Sequence, residues 1–177
     1  SNGFRATSVV LRMYPELRDN RPGESIPFMH HSQFYILAMC LAVRAGNMLL
    51  MLRVFHLCKL SCIFQGWQMP ETVAMRFMLL LAQHVAYQKR HMHEHLETTK
   101  EIRAIALEEY TWIMRHSRRI GKRPPTSMYE PLLRFLDQTA HAVPNSNPDM
   151  VRIKNDMNAM KLAKQPTSRE RIPEKDV

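Results

Sequence analysis

Apolar residues in the middle of this chain recur with the spacing of α-helices. The stretch FYILAMCLAV (34–43) is apolar nearly all round and is followed by a break at Gly46, which predicts a buried first helix. In MLLMLRVFHLCKLSCIF (48–64) polar residues recur every three positions against a broad apolar face, so we predict an amphipathic second helix. The polar stripe of that helix consists of Arg53, His56 and Lys59.

Further helices are predicted downstream by the same criteria. They span residues 71–95, about 99–119, 128–143 and 150–164. Pro70 with Glu71, and Pro148 with Asp149, have the form expected of a helix's first turn, where proline loses no needed donor and an acid faces the positive end of the helix dipole. In 99–119 the apolar residues share one face, and we place Arg103 among the polar residues elsewhere on that helix. The pattern predicts an all-α fold of about six helices in antiparallel hairpins, as a bundle or a short helical-repeat stack.

The two ends of the chain lack a sustained period. Residues 1–31 contain several prolines, and residues 165–177 are charged and interrupted by proline. We therefore predict an extended N-terminal arm (1–31), one helical domain (32–164) and a C-terminal tail (165–177), because 177 residues suit one domain better than two.

Composition supports helix and adds a charge argument. Only 5 glycines argue against a turn-rich sheet protein, and 14 methionines favour helix. The formal charge of +9 indicates an anionic partner such as nucleic acid, an acidic lipid surface or an acidic protein, although solubility alone would explain part of it. Cys40, Cys58 and Cys62 lie in the most apolar third, which predicts free thiols packed in the core in a reducing compartment.

One short stretch, RHSRRIGKRPP (115–125), combines dense positive charge with an abrupt helix end. We call its cations the basic cluster: Arg115, Arg118, Arg119, Lys122 and Arg123. Complementing the negative end of the helix dipole would need only one or two of them. Arginine forks match phosphate oxygens, so we predict that the cluster contacts the backbone of structured RNA without reading bases; a solvated helix end is the alternative. We expect Lys89, Arg90 and Arg134 to extend the cluster.

The histidines of HMHEH (91–95) are the candidate metal ligands. His91 and His95 are one helical turn apart and can chelate a metal as neutral imidazoles. The order H-M-H-E-H lacks the glutamate of H-E-x-x-H, so a polar surface patch is the simpler interpretation. The sequence contains no G-x-S-x-G and no Gly-rich phosphate loop, and we predict a protein that is not an enzyme and has no cofactor.

Residues 34–64 raise the question of a membrane. The most apolar window, 34–52, carries Arg44 and Asn47 near its middle, and a central arginine costs about 2.5 to 3.5 kcal/mol on insertion scales. We therefore predict burial against other helices, and keep an interfacial helix at 48–64 as the alternative.

Two stretches suggest a resemblance. SQFYILAMCLAVRAGN (32–47), an apolar helix and GWQMP (66–70) follow each other as the parts of a helical hairpin do, and RRIGKRPPTSMYEPLL (118–133) has the form of a junction between two such units. This arrangement resembles pentatricopeptide-type proteins of organellar ribonucleoproteins. The resemblance implies a right-handed stack of helical hairpins. The interval from Pro70 to Pro124 is not one repeat unit, and no base-reading position of that family is assigned here.

These observations together predict a non-catalytic subunit of a large assembly. The leading hypothesis is an organellar, mitochondrial ribonucleoprotein such as a ribosome, with RNA at the basic cluster and protein neighbours at the arms. The alternatives are a membrane-associated accessory subunit of a respiratory complex, using residues 34–64, and a viral matrix or nucleocapsid-like helical protein.

Overall fold

The structure is a computed structural model that describes residues 32–91, 96–143 and 147–163, without the side chains at 89–97 and 147. Its elements are α1 (Ser32–Arg44), α2 (Met48–Gln65), α3 (Glu71–His91), α4 (Leu96–Arg119), α5 (Tyr129–Gln138), a 3-10 turn (Ala140–Ala142) and α6 (Asn147–Leu162). Six α-helices and no strand occur within these ranges, which confirms the all-α prediction. The predicted arm (1–31) and tail (165–177) lie outside the described residues.

The turn between α1 and α2 is tight because of two residues. Gly46 adopts φ +68°, a left-handed conformation that glycine tolerates without strain, and the amide of the following residue, Asn47, donates to the Ala42 carbonyl (2.9 Å). The Asn47 side chain then caps α2 by accepting from the amide of Leu50 (2.8 Å). One short turn thereby ends the first helix and starts the second, which makes them an antiparallel hairpin.

The core lies where α1 packs on α2 and α3, and where α3 packs on α5. Phe55 of α2 and Phe77 of α3 stack with ring centroids 3.8 Å apart. α4 and α5 meet at Tyr110 and Tyr129, and Tyr110 donates to Asp156 of α6 (2.5 Å). Cys58 and Cys62 are 2% and 3% exposed, which confirms that they pack in the core.

Arg103 corrects the sequence prediction. We had placed it among the polar residues away from the apolar face of α4, but it is 2% exposed. One nitrogen, Nη1, donates to the Leu136 carbonyl (2.6 Å) and to Thr139 Oγ1 (2.9 Å). The carbonyl belongs to the last turn of α5, where backbone acceptors lack helical partners, and the buried guanidinium supplies a donor to one of them.

The same contact explains why α5 ends earlier than predicted. The helix was expected to run over 128–143, yet it stops at Gln138 and gives way to the 3-10 turn. Thr139 Oγ1 donates to the Phe135 carbonyl (2.8 Å) while accepting from Arg103. The Phe135 carbonyl accepts from the Thr139 amide (3.1 Å) as well, so the hydroxyl adds a second donor to it at the residue where the chain tightens into the 3-10 turn.

Candidate RNA interface

The basic cluster is held at a sharply defined helix end. Gly121 has φ +65°, its amide donates to the Arg118 carbonyl (3.1 Å), and the Lys122 amide donates to the Ser117 carbonyl (2.9 Å). These two bonds form a Schellman motif, which stops α4 and turns the chain. The prolines at 124 and 125 that follow are buried. All five cationic side chains of the cluster are exposed, three on the last turns of α4 and two in the loop beyond.

Two loops lie side by side at this helix end, and we call residues 66–70 and 120–128 the loop pair. Gln68 Nε2 donates to the Arg123 carbonyl. Glu71, which opens α3, accepts from the backbone amides of Thr126 (3.0 Å) and Ser127 (2.9 Å), just before α5 begins. A carboxylate at a helix N-terminus satisfies free amides and faces the positive end of the dipole. The loop after α4 is therefore fastened by side chains more than fifty positions earlier in the chain.

His116 supports one member of the cluster from below. It is 4% exposed, its Nε2 lies 2.7 Å from the Trp67 carbonyl, and its Nδ1 lies 3.1 Å from Arg119 Nη2. A carbonyl can only accept and a guanidinium can only donate, so in this arrangement Nε2 is the donor to the Trp67 carbonyl and Nδ1 is the acceptor from Arg119. The ring thereby orients Arg119 and ties α4 to the loop pair.

A stacked pair of aromatic rings and a partly buried ion pair extend the contacts of His116 into the interior. The Trp112 ring lies parallel to the His116 ring, with centroids 4.9 Å apart. Lys59 Nζ lies 4.9 Å from the centroid of Trp112 and 2.6 Å from Glu109 Oε2. Lys59 was predicted in the polar stripe of α2, and the structure shows it covered, paired and bridging α2 to α4. The side chains that pack under the basic cluster, namely His116, Trp112 and Lys59, consequently have few rotamers available.

The five cations differ in what they already bind. Arg119 holds the ring of His116, and Arg123 donates to the Ala163 carbonyl just past α6 (2.8 Å). Side chains without a partner among the described residues are Arg115, Arg118 and Lys122. A guanidinium carries five donors, so Arg119 and Arg123 keep N–H groups for a further ligand. The cluster thus offers three unengaged charges beside two that are fixed in place.

The other predicted site residues have different surroundings. Arg134 is exposed and paired with Glu130 one helical turn away (2.5 Å). Lys89, Arg90 and His91 have side chains outside the described set, and His95 lies wholly outside it. Among the described residues, no three histidine, cysteine or acidic side chains are grouped to hold a metal.

Trp67 is a candidate contact that the sequence analysis missed. It belongs to the loop pair and is 38% exposed. Its carbonyl contacts His116, the residue two positions before Arg118 on α4. Exposed aromatic rings are among the side chains on which proteins stack unpaired bases. In the sequence, Trp67 is only a tryptophan in a break between two helices. It lies 49 residues before His116, and only tertiary packing brings the two residues together.

One described helix, α2, is long and apolar enough to cross a membrane by length and composition. A core helix in a soluble protein passes the same test, and α2 buries one face that includes Met51, Val54, Phe55 and Cys58.

No protein-family model, curated protein or solved structure matches this chain. The resemblance to pentatricopeptide-type hairpins therefore stays a prediction.

Proposed function

We propose that this chain is a non-catalytic helical subunit of an organellar ribonucleoprotein, such as a mitochondrial ribosome, and that its basic cluster contacts RNA phosphates. One observation carries the proposal. Three cations, Arg115, Arg118 and Lys122, are exposed and have no partner within the described part of the chain, and they stand at a helix end fixed by a Schellman motif and the loop pair.

Rigidity makes this cluster more suitable for RNA than an ordinary charged surface. Ordering a long side chain on binding costs about 0.5 to 1.5 kcal/mol. Arg119 and Arg123 are already held by His116 and the Ala163 carbonyl, so part of that cost is met in the free protein. Phosphate contacts position a protein without carrying sequence information. The proposal is therefore backbone recognition of folded RNA.

Neighbouring protein subunits are the second class of partner. Large apolar side chains are exposed in several places, at fractions between 38% and 68%. Among them are Leu37, Leu49, Ile63, Phe64, Val151 and Leu162. Single exposed apolar residues are normal in monomers, but a subunit of a large assembly has a use for them as contacts with adjacent proteins.

The membrane-associated alternative has one observation in its favour, the length and apolar composition of α2. Spanning a bilayer would require α2 to present its buried face to lipid. That face carries Phe55, whose ring stacks on Phe77 of α3. Separating these helices would expose much of the core, so peripheral attachment through exposed residues such as Phe64 is the form of this alternative that preserves the fold.

RNA binding by charge-reversal variants tests the proposal. The variant Arg115→Glu, Arg118→Glu, Lys122→Glu is titrated against a fluorescent RNA stem-loop at several salt concentrations, beside the wild type. The matched control is Arg44→Glu, Arg53→Glu, Lys154→Glu, which reverses three exposed cations elsewhere. Each variant lowers the formal charge by six, from +9 to +3. Circular dichroism confirms that all three proteins are folded.

The cluster variant should lose affinity for every stem-loop sequence alike. The slope of log affinity against log salt should shrink by roughly 0.7 to 0.9 for each lost phosphate contact, whereas the control should keep most of its slope. Equal losses in both variants would show that net charge alone drives binding. Unchanged affinity in the cluster variant would reject the proposed interface.

A further inference from the structure

Helix α6 is attached to the rest of the domain by few side chains. Of the α6 side chains that the structure describes, Ile153 alone is fully buried, and three methionines are partly buried against the core. Asp156 accepts from Tyr110 Oη on α4 (2.5 Å), and the Arg152 guanidinium lies 5.9 Å from the centroid of the same tyrosine ring. An element with few buried apolar contacts opens more readily than the core of its domain.

A cavity separates the C-terminal half of α6 from the start of α5. Its volume is about 240 Å³. The lining residues are Thr126, Tyr129, Glu130, Met157, Met160 and Lys161. Two residues past Lys161, the Ala163 carbonyl accepts a hydrogen bond from Arg123 Nη2 (2.8 Å). This bond therefore holds the end of a helix whose last turns are loosely packed.

Arg123 of the basic cluster is fixed from two directions. Its carbonyl accepts from Gln68 Nε2, so its backbone is held within the loop pair. Its guanidinium donates to the Ala163 carbonyl. The last carbonyls of a helix lack helical partners and form the negative end of the helix dipole, which a guanidinium satisfies. The backbone of Arg123 is thus held without α6, whereas the side-chain contact that the structure shows comes from the end of α6.

We infer that α6 is a positioning element of the RNA interface, because its docked end orients the Arg123 guanidinium toward an RNA phosphate. The inference rests on the proposed function. A side chain that is already ordered in the free protein binds without the entropy cost of ordering it. The guanidinium has five donors, so N–H groups remain for the phosphate while Nη2 holds Ala163. Thermodynamic linkage makes the effect reciprocal, and RNA bound at Arg123 in turn stabilises docked α6.

A purely structural role for α6 leads to different behaviour. If α6 only adds stability, then a substitution that loosens it changes RNA affinity independently of Arg123. If α6 acts through Arg123, the effect of loosening the helix disappears once the arginine is removed. A double-mutant cycle measures this dependence of one substitution on the other.

Titration of the full chain with a fluorescent RNA stem-loop tests the inference. The variants are Ile153→Ala, which loosens α6, Arg123→Ala, and the two combined. Tyr110→Phe is a milder second way to loosen α6, because it removes the hydrogen bond to Asp156 without changing the charge. The matched control is Met39→Ala, which removes a buried side chain from α1, a helix that packs on α2 and α3. Circular dichroism verifies that each variant folds, and hydrogen–deuterium exchange of α6 amides provides a second readout.

Ile153→Ala should bind the stem-loop about two- to tenfold more weakly than the wild type. Tyr110→Phe should show a smaller loss, and Met39→Ala should bind as the wild type does. The double variant should bind no more weakly than Arg123→Ala alone. Bound RNA should slow amide exchange along α6 in the wild type and leave it unchanged in Arg123→Ala.

Two results would overturn the inference while leaving the RNA interface intact. One is a double variant in which the losses of Ile153→Ala and Arg123→Ala add. The other is wild-type affinity in both Ile153→Ala and Tyr110→Phe. A wild type that binds no stem-loop would reject the proposed function, and this inference with it.

Discussion

Burial of His84 gives the domain a pH-dependent stability. This residue of α3 is 8% exposed, and desolvation lowers its pKa below the ordinary value of 6.5. The unfolded chain therefore binds a proton at a higher pH than the folded protein does. Stability from the neutral ring is complete above about pH 6.5, and it is lost as the pH falls through the folded-state pKa.

The prediction compares wild type with His84→Gln, which cannot titrate. Between pH 7.5 and pH 5.5 the wild type should lose more unfolding free energy than the variant, by up to about 1.4 kcal/mol per pH unit below 6.5 until the folded-state pKa is reached. Urea unfolding at both pH values measures the difference. His56→Gln is the control, because His56 is exposed. If His84→Gln follows the wild-type pH dependence, the ring is not buried as described.

On α4, the sequence predicted the burial of the apolar residues but not that of Arg103. The spacing of the apolar residues predicted the packed face of α4, which comprises Ile102, Ile105, Ala106, Tyr110, Ile113 and Met114. Four of these six are buried, and Ile105 and Met114 are half-buried against the core. The same pattern could not place Arg103, because its burial depends on carbonyl and hydroxyl groups of residues 136 and 139. A charge is buried only where tertiary neighbours satisfy it, and no local period reports such neighbours.

The end of α4 depends on the conformation of one glycine. Gly121 at φ +65° closes the Schellman motif that sets the direction of the loop after the basic cluster. Gly121→Ala should destabilise the domain by about 1 to 2 kcal/mol, since a Cβ disfavours this conformation. Gly121→Asn should cost less, because asparagine tolerates the left-handed region better. Chemical denaturation of the three proteins checks the order, and equal stability of glycine and alanine would contradict the motif.

Two phenylalanines on α2 distinguish a packed helix from one that faces lipid. Phe55 is 1% exposed and stacks on Phe77, whereas Phe64 is 52% exposed. In the packed domain Phe55→Ala should cost about 3 to 5 kcal/mol. Phe64→Ala should change stability by less than about 1 kcal/mol, as exposed substitutions usually do. Thermal unfolding in detergent-free buffer measures both, and similar losses would show that the described burial is wrong.

Helix existence was easier to predict than helix ends. Hydrophobic period and first-turn residues placed α2 within one residue of its observed bounds, 48–64 against Met48–Gln65. The end of α5 was missed because Thr139 and Arg103 act there through side-chain contacts. The basic cluster was visible as composition. The contacts that fasten its helix end have no sequence signal, because they join residues 67 and 71 to residues 116 and 126.

At the scale of the whole molecule, two surfaces favour two different functions for this chain. The exposed basic cluster indicates attraction to a polyanion, and the apolar composition of α2 permits contact with lipid. The two surfaces differ in what releases the protein. Phosphate contacts are replaced by salt ions in proportion to their number, whereas an apolar segment in a bilayer is insensitive to salt and to alkaline carbonate and requires detergent.

We therefore predict the behaviour of the full chain during fractionation of its native source. The protein should sediment with a large RNA-containing particle at low salt, leave that particle at high salt or after ribonuclease treatment, and remain in the supernatant after carbonate extraction of membranes. The Arg115→Glu, Arg118→Glu, Lys122→Glu variant should fail to enter the particle at low salt, while the control with reversed Arg44, Arg53 and Lys154 should enter it. Immunoblotting of gradient fractions provides the measurement. Sedimentation with membranes in place of the particle before carbonate treatment would favour peripheral attachment, and retention in the carbonate pellet would favour insertion, if particle entry is also indifferent to the cluster, because an RNA contact of this kind cannot survive the loss of three of its five cations unchanged.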